Sequence, residues 1–152
     1  MSSRWPLVCS VLAALAACSS DDATSELRQL IDAAAAAAEE RQTNHFRGLL
    51  SATYTDVRGN DYDEMIDIVR GYFLMHPSLE VLTRIDTIEL NGDDAAEISL
   101  LAGVLGQRAG ASLLGGLDGR LYDLELELVQ DSGEWQINGA RWERSLEIWG
   151  GD

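Results

Sequence analysis

The sequence predicts an α+β domain in which three N-terminal helices pack on one face of a curved, mainly antiparallel sheet of four long strands. Apolar residues recur with a helical period up to residue 76 and with a period of two from residue 79 onward. Turn sequences separate the later segments, as in Asn91-Gly92 and Asp131-Ser132-Gly133. Helices followed by hairpin-connected strands are typical of α+β folds, and 152 residues suit one hydrophobic core.

The first two helices are predicted from apolar stripes. A helix from about Ser25 to Arg41, capped by Thr24 or Ser25, carries a stripe of Leu27, Leu30, Ile31, Ala34 and Ala38. Its alanines favour the helix and give it a narrow surface that can lie close to a sheet. A second helical segment, about Asn44 to Ala52, places Phe46, Leu49 and Leu50 together.

The third helix is preceded by a short extended piece, Tyr54–Val57, and a turn at Arg58–Asn60. Asp61 and Glu64 have the spacing of an acidic capping box, which places the start of the helix at Asp61. Pro77 ends it, because the residue before a proline disfavours helical backbone angles. One face of this helix carries Met65, Val69, Tyr72, Phe73 and His76.

Alternation predicts the four strands. The first runs from about Leu79 to Leu90, and a change of phase near Asp86 indicates a bulge. The second covers about Ala95 to Leu105, residues 107–118 form a Gly-rich loop, and the last two include Tyr122–Leu128 and Glu134–Arg144. The outward positions are polar, which argues against a large apolar dimer interface and favours a monomer or weak dimer: Glu97, Ser99, Asp123, Glu125, Glu127, Gln136 and Asn138.

The N-terminus reads as a targeting segment. A cationic start at Arg4 precedes an apolar run, Pro6–Ala17, that is shorter than the ~20 residues a spanning helix needs. The run ends in Leu15-Ala16-Ala17-Cys18, which resembles the lipobox of bacterial lipoproteins. The resemblance implies a signal peptide over residues 1–17, lipid on Cys18, and a lipidated cysteine with a short polar tether over residues 18–24.

The same resemblance implies a location. Ser19 stands where an Asp usually retains lipoproteins at the inner membrane, so the anchor is expected in the outer membrane, facing the periplasm. Cys9 follows Val8 and matches the pattern less well. The alternative is an ordinary secretory signal, cut nearby, that leaves Cys18 as a thiol.

Composition excludes several function classes. Eleven basic residues, all Arg, oppose 26 acidic ones, giving a formal charge of −15, which argues against a nucleic-acid partner. The absence of Lys excludes a Schiff-base lysine and a Walker lysine. Because both cysteines lie within the first 18 residues, the folded domain has no zinc cluster, internal disulfide or catalytic thiol. We predict no metal and no cofactor.

Three stretches carry a second resemblance, to the nuclear transport factor 2-like (SnoaL-like, cystatin-like) superfamily: Tyr54–Gly59, Asn91–Ala96, and Gly133–Ile137 with Ala140–Trp142. The resemblance covers residues 25–145 and leaves 146–152 as a tail. It implies helices in the concave side of a strongly bent sheet and a cone-shaped pocket. This sequence departs from the superfamily in its much reduced first hairpin.

Enzymes of this superfamily use a pocket carboxylate as base and hydroxyl donors to an oxyanion, a chemistry for which ketosteroid isomerase is a standard example. The resemblance makes Asp56 the base, Tyr54 or Tyr72 the donor, and His76 a further catalytic candidate. Each also has a structural interpretation: Asp56 can bond the following turn, and His76 can cap the third helix. The predicted pocket residues are Tyr54, Asp56, Tyr72, Tyr122 and Trp142.

Three functions stay open. The first is an envelope lipoprotein that binds a small apolar ligand or an envelope protein without catalysis. The second is a small isomerase, dehydratase or cyclase-like enzyme that uses Asp56 with Tyr54 or Tyr72. The third is an accessory role in envelope assembly, in which the acidic face meets a basic partner.

Overall fold

The computed structural model describes residues 15–107 and 117–145. Its elements are three helices and five strands: α1 (Leu15–Glu39), α2 (Thr43–Leu49), β1 (Leu50–Asp56), α3 (Tyr62–Met75), β2 (Ser78–Leu90), β3 (Ala95–Gln107), β4 (Leu117–Asp131) and β5 (Glu134–Arg144). None of the helices in these ranges is long and apolar enough to cross a membrane. Most of the predicted signal peptide, most of the Gly-rich loop and the predicted tail lie outside the described residues.

The sheet is mixed and has the order β1-β5-β4-β3-β2. The four long strands pair antiparallel, as predicted, but β1 adds a fifth strand that runs parallel to β5. The prediction of four strands was therefore wrong by one. Helix α2 ends at Leu49, and Leu50–Thr53 are extended, because pairing with β5 outweighs their local helical spacing of apolar residues.

Helix α1 is longer than predicted. It is helical from Leu15, the first described residue, and includes the residues expected to form the tether, so Thr24 and Ser25 lie inside the helix and do not cap it. No Gly or Pro interrupts this segment, which leaves the backbone free to continue the helix. The predicted apolar stripe is confirmed, since Leu27, Leu30 and Ile31 are buried.

The predicted ends of α3 are confirmed. The Asp61 carboxylate accepts a hydrogen bond from the Glu64 N–H at 3.0 Å, and the Glu64 carboxylate accepts one from the Asp61 N–H at 3.0 Å. The helix ends at Met75, two residues before Pro77. Both ends follow from residues within the helix or next to it.

The predicted bulge and turns are also found. The register of β2 against β3 shifts between Ile85 and Thr87. The Asn91 N–H donates to the Ala95 carbonyl at 2.8 Å, and Gly92 adopts a left-handed φ of 81°. The concave face of the sheet and α1 bury the core, which includes Leu27, Ile98 and Leu128, whereas charged side chains on the far face, such as Glu97, are exposed.

Candidate ligand cavity

An apolar cavity of about 390 Å³ lies between α1, α3 and the concave face of the sheet. All three helices and all five strands contribute to its wall. The lining residues are Ile31, Ala34, Ala35, Ala38, Phe46, Leu50, Tyr54, Met65, Ile68, Val69, Tyr72, Phe73, Leu79, Val81, Thr83, Leu100, Ala102, Val104, Leu124, Leu126, Ile137, Ala140 and Trp142.

The cavity arises from the way the helices pack. Helix α1 packs along β2, at one edge of the sheet. Helix α3 packs on α2 and on β1, which is the opposite edge strand. Between them, α1 contributes Ile31 and the small side chains of Ala34, Ala35 and Ala38 to the wall. Space therefore remains over the middle of the sheet, and Ile68 of α3, which is 49% exposed, marks a side where the wall meets solvent.

None of the described lining residues carries a charge, and the polar groups among them are few: Tyr54, Tyr72, Thr83 and the Trp142 indole. Tyr54 is 3% exposed, and its hydroxyl makes no hydrogen bond within the described part of the chain. Burial raises the pKa of Tyr54 well above its ordinary range, and the nearby Asp56 carboxylate raises it further. The phenol is therefore neutral and has an O–H free to donate to a ligand.

Asp56, the predicted base, does not line this cavity; it borders a groove of about 420 Å³ that also contains residues of the far face of the sheet, such as Glu97 and Glu127. Its Oδ1 accepts hydrogen bonds from the backbone N–H groups of Arg58, at 2.8 Å, and Asn60, at 3.0 Å. Its Oδ2 accepts one from Asn60 Nδ2 at 2.8 Å. These three bonds hold the turn that leads into α3.

The ionisation of Asp56 follows from these bonds. Burial opposes the charged form, but the hydrogen bonds from Asn60 and Arg58 and the Arg58 charge outweigh burial, so the pKa of Asp56 is lowered. A general base for carbon acids works best with a pKa raised toward the operating pH. The geometry and the ionisation of Asp56 both fit its structural interpretation.

His76 is buried at the C-terminal end of α3 and is not among the residues that line the cavity. Its Nδ1 lies 3.0 Å from the Tyr72 carbonyl oxygen, so Nδ1–H donates and caps the helix, and its ring stacks on Tyr72 with centroids 4.2 Å apart. Its Nε2 is buried and has no hydrogen-bond partner among the residues that the structure describes. Gly106 leaves room for the ring, because an added Cβ there would lie 2.9 Å from His76 Cδ2.

The structure brings three of the five predicted pocket residues together. Tyr54, Tyr72 and Trp142 line the cavity, whereas Asp56 and Tyr122 do not. The Arg58 guanidinium stacks over the Trp142 ring at 4.7 Å from the centroid, outside the lining. Sequence reasoning missed most of the apolar wall, although the inward alternation of β2 and the apolar face of α3 could have indicated Val81, Thr83, Met65, Val69 and Phe73.

Within the ranges that the structure describes, no group of three or more His, Cys, Asp or Glu side chains is placed to hold a metal ion. On the far face, the Glu125 carboxylate pairs with the Arg141 guanidinium at 2.9 Å, and both side chains are exposed. Such an exposed pair contributes little to stability.

No protein-family profile matches the sequence, and no curated protein matches it either. Solved structures do. A scytalone dehydratase, described as putative, from Novosphingobium aromaticivorans DSM 12444 is 7% identical with a TM-score of 0.78, over 86% of this chain and 89% of that one. A nuclear transport factor 2-like superfamily protein from Salmonella enterica serovar Typhimurium LT2 is 11% identical with a TM-score of 0.68, and the match covers 88% of this chain and 99% of that protein.

A type 2 hexachlorocyclohexane dehydrochlorinase is 9% identical with a TM-score of 0.70, over 90% of this chain and 98% of that chain. At these identities the similarity concerns the fold alone. The chain has a nuclear transport factor 2-like fold, and the resemblance found in its sequence is supported for the domain.

Proposed function

We propose that this domain binds a small, uncharged, mainly apolar molecule in the cavity, and that lipid on Cys18 holds it to a membrane of the bacterial cell envelope. The cavity supports the proposed ligand binding, because its wall is apolar and contains no charged side chain among the described residues. Binding sites for small molecules commonly occupy 300–1,000 Å³ with few polar groups, and this cavity is within that range.

The wall also defines the class of ligand. A cavity of about 390 Å³ holds the volume of roughly 13 water molecules at about 30 Å³ each, so a ligand of a similar number of heavy atoms fits. A carboxylate or ammonium group would lose its hydration without a partner of opposite charge, which costs several kcal/mol. The Tyr54 O–H favours a ligand with one carbonyl or ether oxygen.

Native mass spectrometry tests this half of the proposal. A form that begins at Ser19 lacks the acylation site and keeps Ala23 and Leu27, the first residues of α1 that pack in the core. We expect a reproducible adduct of small-molecule mass after export to the periplasm. A bare domain under gentle conditions would contradict ligand binding.

Two variants of α1 locate the adduct. Ala34 lines the cavity, and Ala36, two residues later on the same helix, is exposed. We expect Ala34→Phe to remove the adduct by filling the cavity and Ala36→Phe to retain it. Thermal unfolding of both variants verifies that they are folded, and equal loss or retention of the adduct would place the ligand elsewhere.

The anchoring half of the proposal rests on the lipobox residues Leu15–Cys18, with Ser19 favouring the outer membrane and a periplasmic domain. Incorporation of a labelled fatty acid tests it. We expect Cys18→Ser to abolish incorporation and Cys9→Ser to leave it unchanged. Labelling that survives Cys18→Ser would contradict the assignment.

A protein partner is a second candidate, favoured by exposed apolar side chains on α3. Leu74 is 76% exposed and Met75 60% exposed. Isolated exposed apolar residues are ordinary, but neighbouring ones mark interaction surfaces more often. A salt-sensitive pull-down would instead indicate that the acidic surface meets a basic partner. We propose that the domain alone is a monomer or weak dimer.

The similarity to a dehydratase and a dehydrochlorinase keeps an enzymatic alternative, with Asp56 as base and Tyr54 or Tyr72 as donor. It requires Asp56 to leave the turn and face the cavity. Turnover of the recovered ligand that is lost in Asp56→Asn, with the fold intact, would favour this alternative over simple binding.

A further inference from the structure

Helix α1 joins the proposed lipidation site to the cavity without a break. It is helical from Leu15 to Glu39, so Cys18 and the residues after it belong to the helix that forms the cavity wall. The residues expected to form a short polar tether are helical. A lipid on Cys18 would therefore be attached to a rigid element.

The start of α1 is fixed to the domain within a short distance. Ala23 packs against the core, and Leu27 is fully buried in it. Ala23 lies five positions after Cys18, which is ~7.5 Å at the helical rise of about 1.5 Å per residue. After cleavage before Cys18, the acidic residues Asp21 and Asp22 lie near the new N-terminus of the helix, where negative charge is favourable.

The other end of α1 is also fixed. The Glu39 carboxylate accepts a hydrogen bond from the Val81 N–H at 3.0 Å, which ties the end of α1 to the start of β2. Helix α1 packs along β2, and its last residue bonds to the start of that strand, so we infer that the two elements run antiparallel. This direction places the turn after β2, which contains Asp93, toward the end of α1 that carries Cys18.

Along this axis the cavity lies far from the lipidation site. Its α1 residues run from Ile31 to Ala38. Counted from Cys18, these are thirteen to twenty residues away, or ~20 to ~30 Å along the helix. The charged residues on the exposed face of α1 are mainly acidic and include Glu26, Asp32 and Glu39, against one basic residue, Arg28. Helices that lie in a membrane surface carry Lys and Arg on their polar face, so α1 is not suited to lie flat.

We infer that the anchor holds the domain upright, with the β2–β3 turn at the lipid headgroups and the cavity ~20–30 Å above them. The cavity then exchanges its ligand with the aqueous phase and not with the anchoring bilayer. This inference rests on the proposed lipidation of Cys18 and deepens the proposed ligand binding.

Fluorescence quenching at the two ends of β2 tests the orientation. Ser78, at the start of the strand, and Asp93, in the turn after it, are both exposed. The length of β2 along the chain between them is about 40 Å at ~3.3 Å per residue. The cleaved, acylated chain has no free cysteine, so Ser78→Cys and Asp93→Cys each accept one fluorophore. The lipidated protein is placed in phosphatidylethanolamine–phosphatidylglycerol vesicles that contain a headgroup quencher.

We expect the label in Asp93→Cys to lose most of its emission and the label in Ser78→Cys to lose little. Equal quenching, or stronger quenching at Ser78→Cys, would overturn the inference while vesicle binding still supports lipidation. Protein that does not stay on the vesicles would refute the proposed anchor and the inference with it.

A flexible insertion provides the control. Glycine and serine residues inserted between Ser20 and Asp21 interrupt α1 before its first core contact and leave Cys18 and the domain intact. We expect this variant to bind vesicles and to lose the difference between the two labels. A difference that persists would show that the continuous helix does not set the orientation.

Discussion

Replacement of Asp56 by Ala is expected to destabilise the domain by removing the acceptor that holds the turn before α3. Three hydrogen bonds end on this carboxylate: from Arg58 N at 2.8 Å, from Asn60 N at 3.0 Å and from Asn60 Nδ2 at 2.8 Å. Asp56 is 5% exposed. A buried donor left without an acceptor costs about 1–3 kcal/mol, and solvent can reach part of this turn, so we expect a loss of about 2–4 kcal/mol in the free energy of unfolding.

The loss should depend on pH. The pKa of Asp56 is lowered in the folded state, so the folded protein binds fewer protons at this group than the unfolded chain does. Its stabilising contribution is therefore complete above the unfolded pKa of about 3.9 and is lost as the pH falls through the lower folded value. The difference between wild type and Asp56→Ala should shrink below about pH 4.

Urea denaturation followed by tryptophan fluorescence at pH 7, 5 and 3 measures both effects. Asp32, exposed on α1, provides a matched control, and we expect Asp32→Ala to change the free energy of unfolding by less than about 0.5 kcal/mol. A loss at Asp56 as small as that of the control, or one that does not change with pH, would refute the structural role assigned to this carboxylate.

Three further substitutions test the helix α3, its N-terminal cap and the contact of β3 with its C-terminal end. We expect Gly106→Ala to lower the free energy of unfolding by about 1–3 kcal/mol, because the new Cβ would lie 2.9 Å from His76 Cδ2 and 3.1 Å from Leu79 Cδ2; an unchanged melting temperature would contradict this packing. Gly71→Ala in α3 meets nothing within 4 Å, so it should raise the free energy of unfolding by about 0.5–1 kcal/mol, and destabilisation would show a contact not seen here. We expect Asp61→Ala to lower the free energy of unfolding, measured by urea denaturation, by about 1 kcal/mol, because it removes the capping box. An unchanged free energy of unfolding would show that the cap contributes nothing.

The parts of the fold that the sequence predicts correctly are defined by neighbouring residues. The capping box at Asp61, the bulge at Asp86 and the turn at Gly92 each depend on a few adjacent positions. Strand β1 is different, because it forms by pairing with a strand more than 80 residues later, as in the register of Leu50 with Ile137. Local spacing favours a helix there, and only the completed sheet supplies the competing hydrogen bonds.

The site was less predictable than the fold because a cavity forms where side chains are small and where neighbouring elements lie apart. Polar and aromatic residues can be selected from a sequence as candidate pocket residues, and three of the predicted ones, Tyr54, Tyr72 and Trp142, do line the cavity. The space itself depends on small side chains such as Ala34 and Ala38 and on the separation of α1 from α3, which no local pattern encodes.

Tyr54 and Asp56 show how the environment decides between chemistry and structure at two positions of one strand. Both are buried in β1, two residues apart. Asp56 has a short side chain, and the backbone N–H groups of the following turn occupy its oxygens and stabilise its charge. Tyr54 reaches the apolar wall, where burial keeps its phenol neutral and its proton available. A wall with a hydrogen-bond donor and with no charged side chain among its described residues is suited to hold a neutral molecule.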